Sequence, residues 1–140
     1  MVFVQDTAGR HLVTWSPRRQ EWGAPGGWRE PGETPLMNAV RETEEESGLR
    51  LTPANLRPVG YERFRRPPGQ APDAGLWRPG QDILQAYATR LPVHRPALRA
   101  EHPGQAEPEW IDDAELAARC AASFWWPLAA RVLGLAAPAR

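Results

Sequence analysis

GAPGGWREPGETPLMNAVRETEEESGLR, residues 23–50, sets five glutamates, Glu33, Glu42, Glu44, Glu45 and Glu46, within fourteen positions. The rest of the chain offers no global excess of acid to account for them. Seventeen arginines balance seventeen acidic residues, lysine is absent, and the formal net charge is zero. A neutral chain has no overall field drawing it to nucleic acid or to a membrane surface, so neither partner is expected. An anionic ligand must be held locally, by guanidinium groups that stay charged and bind oxyanions bidentately.

Within this stretch Thr34 can cap a helix that has Pro35 at its first position, and Gly48 suits the residue just past its end. The spacing therefore predicts a helix over Pro35–Ser47. At about 100° per residue, Leu36, Val40, Thr43 and Ser47 share one side, with Ala39 beside them, and that side faces the core. Glu42, Glu45 and Glu46 fall within an arc of about 100° on another face, while Glu44 points away. As a solvated face this is unfavourable. Like charges at i,i+3 and i,i+4 each cost about 0.2–0.5 kcal/mol, and the helix dipole disfavours negative charge toward the C-terminus. Partly buried carboxylates either raise their pKa values or recruit a cation. A divalent cation answers the repulsion of three of them better than protonation. Oxygen-only ligands select Mg²⁺, Mn²⁺ or Ca²⁺ over zinc, and Mg²⁺ keeps water sites that substrate phosphates can fill.

The loop ahead of the helix has the complementary chemistry. Pro25, Gly26 and Gly27 allow close backbone approach to a ligand, and Arg18, Arg19 and Arg29 are nearby cations for phosphate. The order Gly27, five residues, Glu33, seven residues, then Arg41-Glu42-Thr43-Glu44-Glu45-Glu46-Ser47-Gly48-Leu49 resembles the Nudix box, GX5EX7REUXEEXGU with U an apolar residue. Every fixed residue is present, and the one departure is Thr43 at an aliphatic position. WGAPG (22–26) resembles the family's approach to the box, and EPEWID (107–112) its later acidic-Trp strand.

The resemblance implies a MutT-like Nudix hydrolase with an α/β/α sandwich and a mixed β-sheet, one domain over residues 1–140. It implies Mg²⁺-dependent cleavage, with Mn²⁺ as a substitute, of a nucleoside diphosphate linked to another moiety. Glu42, Glu45, Glu46 and the carbonyl of Gly26 would hold the metal. Arg41 would pair with Glu33, and Gly27 and Gly48 would be structural. Glu42 is also a candidate base, and a loop carboxylate joins it: Glu107 first, with Glu109 and Glu101 as alternates. Trp28, Trp77 and Trp125 are the tryptophans placed to meet a nucleobase, Trp125 because FWWPL (124–128) aligns with the base-reading region of some relatives. Trp15, Trp22, Trp110 and Trp126 are read as packing residues. Two other readings stand beside this one. The first is a nucleotide-binding regulatory module without turnover. The second, an isomerase on an isoprenoid diphosphate, would want a reactive cysteine near the site.

Elsewhere, Val2–Gln5 and Leu12–Trp15 read as a hairpin around DTAGR, and Tyr61–Phe64, Asp82–Thr89 and Glu109–Ile111 as further strands. The resemblance makes the first of these the opening strand of the sheet, cut short where the chain begins. Ser16–Gly32 and the proline-rich segment 65–80 read as loops. Asp113–Cys120 and Pro127–Leu135 read as helices. Cys120 is the single cysteine, so no intrachain disulfide or zinc motif is expected. No apolar run approaches a membrane span of about 18 residues and no signal peptide opens the chain, so a cytoplasmic location is expected. The substrate would be a small nucleotide, with monomer and homodimer both open.

Overall fold

The computed structural model describes residues 1–65 and 81–135. The segment 66–80, read as a loop, and with it Trp77, lie outside the described residues.

Six strands form a mixed sheet: β1 (Val2–Gln5), β2 (His11–Ser16), β3 (Glu21–Gly23), β4 (Arg57–Arg65), β5 (Gln81–Arg90) and β6 (Glu109–Ile111). The path runs β3-β2-β1-β5-β4, with β6 also paired to β2. Only β1 and β5 are parallel, in the register Val2↔Tyr87 to Gln5↔Arg90. Strand β3 falls inside the stretch expected to be a loop. Its three residues extend along β2 with Trp15 opposite Trp22, and the two indoles meet edge to face with centroids 5.6 Å apart. Aromatic burial outweighs the local turn-rich composition there.

Helix α1 (Pro35–Ser47) has the predicted bounds: Thr34 Oγ1 accepts from the Met37 N–H at 3.2 Å, and Gly48 closes the helix in the left-handed region. Helices α2 (Asp113–Cys120) and α3 (Trp126–Leu133) follow β6. Alternation along the strands separates two cores. On one face Val2, Val4, Leu12 and Tyr87 pack with Ala39 of α1 and with Leu49, Leu51 and Leu56. On the other, Phe3, Val13 and Ala86 pack with Leu116 and Cys120 of α2 and with Trp126 and Ala129 of α3. Helices on both faces of a mixed sheet make the expected α/β/α sandwich. No helix among the described residues is long and apolar enough to cross a membrane.

The turn between β1 and β2 is organised by Asp6, which is fully buried. Its carboxylate accepts from the N–H groups of Ala8 (2.8 Å), Arg10 (2.9 Å) and Arg95 (3.2 Å) and faces His94 Nδ1 at 3.1 Å. This ties the first turn to the segment after β5. Burial pushes the carboxyl pKa up, but the three backbone donors and His94 outweigh it and leave it below the ordinary 3.8. Its stabilisation is complete above pH 3.8 and is lost as pH falls through the lower folded-state value. Asp6→Ala is expected to cost roughly 2–4 kcal/mol in urea unfolding at pH 7, because three backbone donors lose their buried acceptor. Asp6→Asn is expected to flatten the acid limb of the stability curve below pH 3.8. An unchanged acid limb would remove Asp6 from this role.

Candidate active site

Helix α1 lies with its polar flank on the glycine loop that leaves β3. The buried side of the helix makes this possible, since Thr43 and Ser47 are fully buried and satisfy their own hydroxyls. Thr43 Oγ1 donates to the Ala39 carbonyl at 2.8 Å, and Ser47 Oγ donates to the Thr43 carbonyl. Threonine therefore stands in for an aliphatic residue at this position without leaving a buried polar group unpaired.

Glu46 reaches under the loop, where its Oε2 accepts from Gly26 N–H (3.1 Å) and Thr14 Oγ1 (3.0 Å). Burial pushes its pKa up to about 7, against the pull of these two donors and with a further push from Glu42. Glu42 is raised as well, chiefly by burial; Arg41 opposes the shift and Glu45 adds to it. Glycine is required here by close approach. Gly26 has φ of +156°, and a Cβ on it would fall 2.7 Å from Met1 Cα. A Cβ on Gly27 would fall 2.6 Å from the Glu42 carboxylate.

Arg41 is the counter-charge of the cluster. It grips Glu33 bidentately, Nε to Oε1 at 2.9 Å and Nη2 to Oε2 at 3.1 Å. Its remaining reach covers Glu42 Oε1 (3.0 Å), Glu45 Oε2 (2.8 Å) and the Trp28 carbonyl (3.0 Å). The guanidinium holds the Glu33 carboxyl down at about 2. Glu44 takes no part and pairs with exposed Arg50 at 2.9 Å.

The wheel reading set Glu42, Glu45 and Glu46 on one metal face. In the structure Glu42 and Glu46 turn to the glycine loop, and Arg41 pairs with both Glu42 and Glu45. Among the described residues no group of three or more His, Cys, Asp or Glu side chains is gathered at metal-holding distance. The two loop-facing carboxylates still suit a hard cation. Both are desolvated, both titrate above their ordinary range for that reason, and a divalent ion removes the cost of keeping them charged.

The remaining expected residues are spread more widely. Arg19 makes an ion pair with Glu21 at 2.6 Å and its charge acts on Glu46, whereas Arg18 and Arg29 are exposed on the flanking loops. Trp28 is 47% exposed, and its carbonyl also accepts from Asn38 Nδ2 at 3.0 Å. Trp125 corrects the expectation of an open stacking surface. It is fully buried, with its ring 6.2 Å from Phe3 and 6.5 Å from Trp126, because the turn before α3 directs it into the core. Glu107 Oε2 accepts from Ala100 N–H at 2.9 Å and closes the 100–107 loop. Glu109 pairs with Arg119 at 3.0 Å. Of the three loop carboxylates, Glu101 is the one whose charge acts on Glu42.

Two contributors escaped the sequence reading. Thr14 shares a strand face with Leu12, so a hydroxyl at a core-facing position was the available signal. Asn38 is buried on α1, where it touches both the Trp28 carbonyl and Glu42 Oε1 (3.5 Å).

The model of the NUDIX domain family matches residues 1–133. The chain belongs to the NUDIX family. This NUDIX domain is 50% identical over 40 residues to the putative 8-oxo-dGTP diphosphatase 3 of Mycobacterium tuberculosis, a match covering 29% of this chain and 18% of that protein. It is 30% identical over 102 residues to the nucleoside triphosphate pyrophosphatase/Nudix hydrolase fusion protein of Bifidobacterium longum, covering 73% of this chain and 18% of that protein. The chain thus spans about a fifth of the length of the curated relatives it matches. In fold it is similar to the E. coli dihydroneopterin triphosphate pyrophosphohydrolase, with a TM-score of 0.69 at 18% identity over 96% of this chain and 93% of that one.

The contact between Gly27 and Glu42 can be tested directly. Gly27→Ala is expected to drive the Glu42 carboxylate off the loop and weaken Mn²⁺ binding, followed by electron paramagnetic resonance, by roughly 10- to 100-fold. Undiminished Mn²⁺ affinity would dissociate the loop from the cation site.

Proposed function

We propose that this NUDIX domain is a divalent-metal-dependent pyrophosphohydrolase that cleaves a nucleoside diphosphate linked to a further moiety into a nucleotide and the phosphorylated moiety. The observation that carries this reading is the pair Glu42 and Glu46, desolvated side by side against the Gly26–Gly27 turn. Glu42, Glu45, Glu46 and the Gly26 carbonyl would hold Mg²⁺ or Mn²⁺. When bound, the metal supplies charge neutralisation at the diphosphate oxygens and acidifies water.

The other tasks fall to the chain itself. Arg41, fixed by Glu33, holds Glu45 and the Trp28 carbonyl, so loop and helix keep one geometry. Arg19 supplies positive charge beside Glu46, and exposed Arg18 and Arg29 flank the approach for phosphate oxygens. Glu42 serves as the base that takes the proton of the attacking water, its pKa raised chiefly by burial. Glu101, whose charge acts on Glu42, stands beside Glu107 as a candidate for the loop carboxylate. A second reading, a nucleotide-binding module without turnover, draws on Glu45, whose charge Arg41 already neutralises.

Phosphate release across NTPs, dNTPs, nucleotide sugars, ADP-ribose and dinucleoside polyphosphates, with Mg²⁺ or Mn²⁺, tests the proposal. Turnover of at least one is expected, abolished by EDTA and restored by Mn²⁺. On that substrate Glu46→Gln is expected to lower kcat by roughly 10²- to 10³-fold. Tight nucleotide binding with no turnover supports the second reading. Glu101→Gln is expected to reduce kcat more than Glu107→Gln, and the reverse order would return the role to Glu107.

A further inference from the structure

We propose that Thr14, a strand residue outside the motif, is a positioning residue: its hydroxyl fixes one oxygen of Glu46 and leaves the other, Oε1, as the oxygen offered to the cation. The inference rests on the divalent-metal reading above and names a residue that the motif does not contain.

Three separate parts of the chain meet at one atom. Glu46 Oε2, from α1, accepts from Thr14 Oγ1 of β2 at 3.0 Å and from the Gly26 N–H of the glycine loop at 3.1 Å. An ionised carboxylate has about two acceptor positions on each oxygen, so these two donors fill Oε2. Its Oε1 accepts from no group among the described residues. Glu42 is treated in the same way. Its Oε1 faces Arg41 Nη2 at 3.0 Å and Asn38 Nδ2 at 3.5 Å, and its Oε2 accepts from no group among the described residues. Each acid therefore gives one oxygen to the protein and keeps the other without a donor.

The two acids differ in what holds them. Glu42 has a guanidinium, whereas Glu46 is in no ion pair among the described residues and depends on two neutral donors. One of the two is Thr14. This residue is 6% exposed and shares a sheet face with Leu12, which packs with Ala39 of α1. Its hydroxyl has a single proton to donate and two acceptors in reach, Glu46 Oε2 at 3.0 Å and the Gly23 carbonyl at 3.4 Å. The shorter contact and the charged acceptor both favour Glu46.

Rotation is what the hydroxyl prevents. The terminal torsion of a glutamate is broad, so a carboxylate held by the Gly26 N–H alone could turn either oxygen outward. With a second donor from another element, turning breaks at least one hydrogen bond. A group held in place before the cation arrives loses less freedom when it binds.

The test uses the full chain and Mn²⁺ alone, titrated by electron paramagnetic resonance, with urea unfolding beside it. Thr14→Val keeps the β-branched shape and loses the O–H. It is expected to weaken Mn²⁺ binding about tenfold, the lower end of the usual effect of removing an outer-shell partner, with an unfolding midpoint no lower than that of the unsubstituted chain. Thr14→Ala is expected to show the same loss of affinity, and it decides the matter if the valine variant does not fold. Thr14→Ser, which keeps the hydroxyl, is expected to restore most of the affinity. In a Glu46→Gln background Thr14→Val is expected to add no further loss, since two changes acting through one carboxylate are not additive. An undiminished affinity in Thr14→Val and Thr14→Ala overturns the proposal, whatever happens to the unfolding midpoint. So does a full further loss in the Glu46→Gln background. If the unsubstituted chain binds no Mn²⁺, the metal reading itself fails and this proposal falls with it; if it binds Mn²⁺ and the Thr14 variants bind equally well, the proposal alone fails.

Discussion

Two carboxylates half-buried against a turn with no side chains constrain everything near them. Glu42 and Glu46 are withdrawn from water by the Gly26–Gly27 backbone, and their charged forms are disfavoured in proportion. That arrangement exists because nothing larger than hydrogen fits between the loop and Met1 on one side or between the loop and Glu42 on the other. The parallel pairing of β1 with β5 sets Met1 at that point, so a feature of sheet topology is felt directly by the acids of the helix.

Arg41 keeps the remaining charge in order. A single guanidinium spans Glu33, Glu42, Glu45 and the Trp28 carbonyl, which only a planar five-donor group can do. Lysine at this position would keep the charge and lose the geometry. The loop between Gly27 and Glu33 is thereby tied to α1 at both ends, and a short segment of irregular backbone is held as firmly as a secondary-structure element. The opposite core follows a different logic. Trp125, Trp126 and Phe3 fill it with aromatic volume, and both indole nitrogens lie buried without a partner among the described residues, a cost accepted for packing rather than for chemistry.

Much of the fold was legible because its signals are local. The cap, the first-turn proline and the closing glycine defined α1 to the residue, and the strand signals found five of the six described strands to within a few positions. Strand β3 was not legible, since three residues in a Gly- and Pro-rich stretch pair only because Trp15 and Trp22 meet across the ladder. In the site, the Glu33–Arg41 spacing could be read from the box. Thr14 and Asn38 could not, because their importance lies in which buried acceptor they reach. The surroundings of Glu107 and Trp125 were not legible for the same reason: one accepts a loop hydrogen bond and the other lies in the core.

The chain by itself determined which groups exist and how they repeat: the glutamates of α1, the arginine among them, the glycines of the turn and the periodicity that gives each element a buried side. Tertiary structure decided what those groups do. Helical spacing puts Glu42, Glu45 and Glu46 near one another, but only packing against the loop withdraws Glu42 and Glu46 from water, while Arg41 pairs with Glu42 and Glu45. Charge, burial and distance are properties of neighbours, and a sequence names the residues before it names their neighbours.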